Sequence, residues 1–302
     1  MTLYIPLKKL VLISLTFCLV VAIFALGAHA ANPGELRISY INVREGDAAL
    51  IQAPENFNIL IDGGRAYAEP TIVAYLLSQG ARRIDLMVAS HADSDHINGL
   101  TKILENGSLP VGDILYSGYG EESTPWAAFV TAAASQGITP TLVSYPAELS
   151  WGSLIVNVLN PSADLIDPEP NDASLVLKIE YGSIDFLFTG DIDTTVEATV
   201  IARGTPLAAE VLKVSHHGSK NGTGAEFLSA VQPVDAVISV GPNAYGHPAA
   251  SVIQALESLG VQVWRTDQDG NILVVSDGMS YTVYKTHWIF LPFIQYNYGN
   301  QP

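Results

Sequence analysis

Apolar runs of strand length recur along this chain, and five of them lead into an acidic residue or a histidine: Asp62, the stretch His91 to His96, Asp191, the pair His216-His217, and His247. If those runs are strands of a sheet-based fold, all five groups can lie along one edge, where loops carry function on a rigid scaffold. Any one of them would serve as a cap or turn residue. Their joint recurrence points to a built site instead.

The densest group is His91-Ala92-Asp93-Ser94-Asp95-His96, directly after Ile84-Asp85-Leu86-Met87-Val88-Ala89-Ser90. It places four metal-ligand side chains in six positions at the mouth of a buried strand. The plainer alternative is a polar turn in which Ser94 or Asp95 caps a helix over Ile97 to Glu105. The chain has only seven histidines, and two of them here flank two carboxylates. That pattern favours a metal site able to hold more than one divalent cation.

The rest of the chain alternates strands and helices. Strands are expected at Leu36 to Val43, Ala48 to Ala53, Asn58 to Ile61, Ile84 to Ser90 and Asp113 to Tyr116, with helices at Glu69 to Gln79 and Pro125 to Gln136. A second half repeats the rhythm. Its strands fall at Leu154 to Leu159, Ser174 to Tyr181, Ile184 to Thr189, Glu210 to Ser215, Ala236 to Val240, Val261 to Arg265, Asn271 to Val275 and Tyr281 to Lys285. Gly182-Ser183 reads as a hairpin turn, and helices are expected at Thr194 to Arg203 and from His247-Pro248 to Leu259. Two similar halves of this kind suggest facing sheets with helices outside. The Pro- and Asp-rich segment Asp164 to Asn171 is expected as a loop near the site.

Lys8 and Lys9 precede an apolar stretch from Leu10 to Leu26, and Ala28-His29-Ala30 offers small residues for cleavage, so residues 1–30 read as a signal peptide. An uncleaved membrane anchor is the alternative. Export to the periplasm or the extracellular space is the expectation. The only cysteine, Cys18, lies in that segment, which leaves the remainder without disulfides or thiolate metal sites. Residues 31–286 are expected to form one domain, and 287–302 an aromatic tail. The formal charge is −16, and −18 once Lys8 and Lys9 are gone. Such acidity lacks the basic footprint of general nucleic-acid binding, although solubility explains it equally well.

Four stretches resemble the metallo-β-lactamase superfamily: INVREGDAALIQAPENFNILIDGG, IDLMVASHADSDHINGL, NDASLVLKIEYGSIDFLFTGDID and VLKVSHHGSKNGT. More narrowly, the chain is similar to the hydrolase domain of ComEC-type DNA-uptake proteins and to phosphorylcholine esterase-like enzymes. The resemblance runs from about Leu36 to Val283. It implies an α/β fold, an αββα sandwich of two mixed sheets with helices outside, and a dinuclear site where the sheets meet. By motif, His91 and Asp93 serve a first metal, Asp95, His96 and one histidine of the pair 216–217 a second, and Asp191 bridges both. His217 is the favoured ligand of that pair, with His216 beside the substrate. Asp62 is expected to orient the ligand loop from behind.

Two departures bear on the chemistry. Asp93 stands where the commoner motif has histidine, and no histidine lies between His96 and His216, so Asn171 or Asp172 is left to act as a weaker ligand. An oxygen-richer site makes Mn2+ an alternative to Zn2+ for the two divalent ions. The resemblance implies water activated by metal, with Asp95 orienting it and His216 and His247 gripping phosphate or leaving oxygen. His247 before Pro248 could equally start a helix. Ser219 and Lys220 are further candidates for anion contact. The leading expectation is an exported phosphodiesterase acting on a small anionic substrate, with nucleic acid less favoured by charge and no obligate protein partner indicated. A β-lactamase-like amide or ester hydrolase and a non-catalytic binding module on the same fold are the alternatives.

Overall fold

The computed structural model describes residues 34–286 except 121, 164, 166 and 167, so the expected signal segment, Cys18 and the aromatic tail lie outside the described residues. Among the described residues, fifteen strands form two sheets. In chain order they are β1 (Leu36–Tyr40), β2 (Ala49–Gln52), β3 (Asn58–Ile61), β4 (Ile84–Ala89), β5 (Val111–Tyr116), β6 (Thr141–Leu142), β7 (Ala147–Trp151) and β8 (Leu154–Asn160). Then follow β9 (Val176–Tyr181), β10 (Ile184–Phe188), β11 (Val211–Lys213), β12 (Asp235–Ile238), β13 (Gln262–Arg265), β14 (Asn271–Ser276) and β15 (Tyr281–Thr286). The helices are α1 (Glu69–Ser78), α2 (Ser94–Asn106), α3 (Thr124–Ser135), α4 (Thr194–Ala202), α5 (Ala225–Val231), α6 (Ala250–Ser258) and the single turn α7 (Thr266–Asp269).

One sheet has the order β15-β14-β1-β2-β3-β4-β5-β6, the other β13-β12-β11-β10-β9-β8-β7. The last hairpin therefore crosses back to the first sheet, where β14 pairs antiparallel with β1. Between the sheets lies a core that includes Ile38, Tyr40, Ile51, Val88, Val158, Leu177, Phe186 and Val237. The outer face of the first sheet packs on α1 to α3 through Leu60, Met87, Ile97, Leu100 and Phe129. The outer face of the second packs on α4 to α6 through Leu187, Val200, Leu212, Phe227 and Leu256. This layering explains why β4 is apolar almost throughout. Leu86 and Val88 enter the inter-sheet core while Met87 and Ala89 meet the helices. Each large side chain buried in this way contributes about 1.5–3 kcal/mol.

The expected αββα sandwich is thus the fold, and most expected elements fall within a residue or two of their places. β6, β7, α5 and α7 were not anticipated. β6 has two residues, and β7 has the irregular sequence Ala-Glu-Leu-Ser-Trp, so neither carries a clear period. The helix after the ligand loop starts at Ser94, earlier than expected, with Asp93 in the capping position but making no side-chain cap bond. Asp95 lies inside its first turn. The capping explanation of the loop is therefore not what the structure shows. His247 likewise does not start a helix, because α6 begins at Ala250.

β3 and β4 run parallel in one sheet, and β10, β11 and β12 run parallel in the other. Their C-terminal ends open on one rim, and the site lies there.

Candidate metal centre

The ligand loop is set from below by Asp62, which sits just past β3 with φ of 57°. Its Oδ1 accepts the Ser90 N–H at 2.9 Å, and its Oδ2 accepts the Ser90 hydroxyl at 2.7 Å. The same Oδ2 lies 2.8 Å from His96 Nδ1, which leaves the other ring nitrogen of His96 facing the rim. Ser90 Oγ also lies 3.0 Å from His91 Nδ1. One carboxylate therefore fixes the end of β4 and aims two imidazoles.

Two glycines let the chain close around this loop. A Cβ on Gly46, at φ of 87°, would stand 1.7 Å from the Asp95 carbonyl oxygen, and one on Gly99 would stand 1.7 Å from the Gly63 carbonyl oxygen. Only glycine permits either approach.

Asp191, just past β10, is the hub. Its Oδ2 lies 3.3 Å from His96 Nε2, 3.3 Å from His217 Nε2 and 3.9 Å from His216 Nε2. His217 Nε2 is also 3.8 Å from Asp95 Oδ2, and its Nδ1 lies 3.0 Å from the Ser239 carbonyl oxygen. His91 Nε2 is 3.8 Å from Asp93 Oδ2, at the more open end of the site. His216 is less buried than His217 and meets His247 edge to face at 5.5 Å. Both backbones of the pair take left-handed φ values of 48° and 54°, which turn two adjacent imidazoles toward the rim.

The expected metal ligands and Asp62, His216 and His247 reach this place, whereas Asp172, Ser219 and Lys220 do not line the cavity. Asp172 is not among the residues lining the cavity, and its backbone carbonyl accepts from Asn160 Nδ2. Asn171 does line it. Two important residues were not anticipated, Asp47 and Lys213. Asp47 forms an ion pair with Lys213, and its Oδ1 lies 3.4 Å from His217 Nδ1. A lysine inside the apolar run Val211-Leu212-Lys213-Val214 was the available signal.

Burial and charge in this space perturb several of these groups. Burial and the neighbouring His96 push His91 down to about 3. Burial also opposes protonation of His217, but Asp191 and Asp47 overcome it and hold His217 up at about 10. Asp191 and Asp62 likewise keep His96 well above the usual imidazole range against burial. Burial works against ionised Asp191, yet His217 and His96 hold its carboxyl well below the ordinary range. Burial raises Asp93, while burial and His216 lower His247.

His91 Nε2, His96 Nε2, His217 Nε2, Asn171 Oδ1 and Asp191 Oδ1 are all buried without a hydrogen-bond partner. Each such atom costs about 1–3 kcal/mol when left unsatisfied. Imidazole nitrogens of His91, His96 and His217 gathered around Asp191 are the arrangement a cation resolves. Donor atoms of His91, His96 and Asp191 lie within 4.8 Å of one another, as do those of Asp95, His96 and His217. These nitrogen and carboxylate donors suit zinc or manganese. Above them opens a cavity of about 460 Å3, lined by Asp93, Asp95, Asn171, His216, His247, Arg65 and Tyr245 among others. Arg65 is held in place by Glu45 at 2.8 Å and by Ser94 at 2.9 Å.

A two-sheet sandwich with imidazoles and carboxylates gathered on its rim defines a class of metal-centred folds. The chain belongs to the metallo-β-lactamase superfamily, whose profile matches residues 41–241. It is similar to ComE operon protein 3 of Bacillus subtilis (strain 168), 32% identical over 270 residues that make up 82% of this chain and 34% of that protein. It is also 32% identical to Competence protein ComA of Neisseria gonorrhoeae, over 88% of this chain and 36% of that protein. The chain thus spans about a third of the length of these curated relatives. Among solved structures, the metallo-beta-lactamase fold protein YhfI from Bacillus subtilis shares the fold at 13% identity and a TM-score of 0.55, covering 80% of this chain and 100% of that one. CmlA, a diiron beta-hydroxylase from Streptomyces venezuelae, shares it at 15% identity and a TM-score of 0.52, over 84% of this chain and 55% of that one. Among the described residues, no helix is long and apolar enough to cross a membrane.

Proposed function

We propose that this chain is an exported, metal-dependent phosphodiesterase. The carrying observation is that buried, unsatisfied nitrogens of His91, His96 and His217 gather around Asp191 beneath an open cavity that Asn171 also lines. In this reading His91 and Asp93 hold one cation and Asp95, His96 and His217 the other. Asp191 lies between them and Asn171 stands in for the middle histidine. Zinc or manganese held there supplies Lewis acidity, which polarises a phosphoryl oxygen and brings the pKa of water down to about 7.

The protein's own groups do the rest. Asp62 locks His96 and the Ser90 backbone, so the donors are held before any ion arrives. Asp95 is partly exposed to the cavity and orients the attacking water. His247, kept neutral by burial and by His216, can hydrogen-bond a phosphoryl oxygen without adding charge. His216 faces the same space and serves the leaving oxygen. Glu45, Asp93, Asp95 and Asp191 line the cavity, and an anionic substrate is repelled until cations offset them. Oxygen donors at Asp93 and Asn171 favour phosphoryl over β-lactam chemistry.

The test is turnover of bis(p-nitrophenyl) phosphate, single-stranded DNA, double-stranded DNA and a chromogenic cephalosporin by protein of known metal content. Metal-dependent cleavage of a phosphodiester, with the cephalosporin untouched, is expected. Absence of any phosphodiester cleavage by fully loaded protein overturns the reading. Nucleic acid is included because the relatives are named for competence, although the chain's formal charge of −16 disfavours general nucleic-acid binding. Export is tested by recovering the protein from the periplasm or medium.

A further inference from the structure

Among the residues that line the cavity and the void behind it, Lys213 is the only lysine, and it is 3% exposed. It projects from the middle of the second sheet into the back of the metal centre. Its ammonium forms an ion pair with Asp47, lies 3.4 Å from the Gly190 carbonyl oxygen, and is 3.9 Å from Asp191 Oδ1. That Asp191 oxygen is buried and has no hydrogen-bond partner. Two carboxylates and a carbonyl around one point make an oxygen-donor set of the kind that holds a hard divalent cation. Asp47, Asp191 and His217 also place donor atoms within 4.8 Å of one another, a third cluster behind the two already described. The ammonium engages two of that cluster's three members, Asp47 through Oδ2 and Asp191 through Oδ1.

We propose that Lys213 is a built-in cation filling the innermost of three cation positions, with Asp47 as its counter-ligand. This rests on the reading of the rim as a dinuclear centre. The charge count gives the arrangement its purpose. Asp47, Asp62, Asp93, Asp95 and Asp191 bring five negative charges to the site, and one ammonium leaves four, the number that two divalent cations neutralise. A third mobile ion at the back would overshoot that balance and draw Asp191 away from the rim. Lys213 also holds Asp47 beside His217 Nδ1, so the pair positions the ring whose Nε2 faces Asp191. A void of about 20 Å3 borders the ammonium, lined by Tyr40, Asp62, Ser90 and Ser239 among others. Shortening the lysine would enlarge it to the size of an ion with its water.

The probe is manganese(II), and the readout is ions per chain by elemental analysis after desalting, independent of any turnover. Wild type, K213A, K213R and the double variant D47N/K213A are each refolded in manganese. K213A is expected to retain one more ion per chain than wild type. D47N/K213A, which removes the ligand as well, and K213R, which keeps the charge, are expected to return to the wild-type number. K213A holding no more manganese than wild type overturns the proposal, as does an extra ion in D47N/K213A or K213R. If K213A does not refold, D47N/K213M, which removes both charges and fills the space, takes its place. It is expected to fold with the wild-type ion count, and an altered count overturns the proposal. A wild type that binds no manganese defeats the dinuclear reading, whereas the difference between K213A and wild type still decides the role of Lys213.

Discussion

Replacing Asp62 by asparagine isolates the part played by the carboxylate behind the ligands. The site tolerates the change sterically, because the left-handed φ of 57° suits asparagine and the side chain keeps its size. It cannot keep the bonding. Asp62 accepts from the Ser90 N–H through one oxygen and from Ser90 Oγ and His96 Nδ1 through the other. An amide has one acceptor, so whichever way it turns, an NH2 group meets a buried donor. The cost of that mismatch is about 1–3 kcal/mol. Transmitted to His96, it weakens cation binding by about 10–100-fold, or about 1.4–2.7 kcal/mol. Competition with a chromophoric chelator measures the affinity of wild type and D62N directly, and urea unfolding of both metal-free chains checks that D62N is folded. A folded D62N binding cations as tightly as wild type refutes the reasoning.

Other outcomes follow from the same geometry. Gly46→Ala forces a Cβ to 1.7 Å from the Asp95 carbonyl at φ of 87°, so it should cost about 2–4 kcal/mol of stability, and an unchanged urea midpoint would contradict that close approach. His96 and His217 hold protons in the metal-free chain, so cation binding should release protons and tighten as pH rises through neutrality. Calorimetry in buffers of differing ionisation enthalpy reads that release, and buffer-independent heats would count against it. Glu197 is buried on α4 and accepts from the Thr223 and Gly224 N–H groups, yet burial pushes its carboxyl from 4.5 up to about 7. The folded chain then keeps a proton that the unfolded chain releases near 4.5, so stability is highest at low pH and falls as pH rises to about 7. The full loss is about 3 kcal/mol relative to E197Q. Parallel stability curves for wild type and E197Q between pH 4 and 8 would show that Glu197 ionises normally.

The sheet framework and the rim were legible because their signals are local. Apolar runs such as Ile84 to Ala89 are buried on both faces, and the ligand types follow them directly in sequence. Asp47 was not legible in that way. After Gly46 it looks like an ordinary turn residue, and its importance comes from Lys213 and His217, which only the packing of one sheet on the other brings to it. His247 illustrates the opposite problem. Its place before a proline left a helix start open beside the expected phosphate contact, and the structure begins the helix only at Ala250 while the imidazole turns to His216. Asn171 and Asp172 could not be told apart from their spacing. The structure separates them, with Asn171 Oδ1 buried without a partner at the cavity and Asp172 absent from its lining.

The central claim is that the rim donors form a centre for two divalent cations. Titrating metal-free protein with zinc and with manganese, for wild type and for D191N, tests it most directly. Two ions per chain in wild type, with affinity for both reduced in D191N because that carboxylate faces both donor clusters, is the predicted result. Wild type that stays folded and binds neither ion, or D191N that binds both as tightly as wild type, would contradict it.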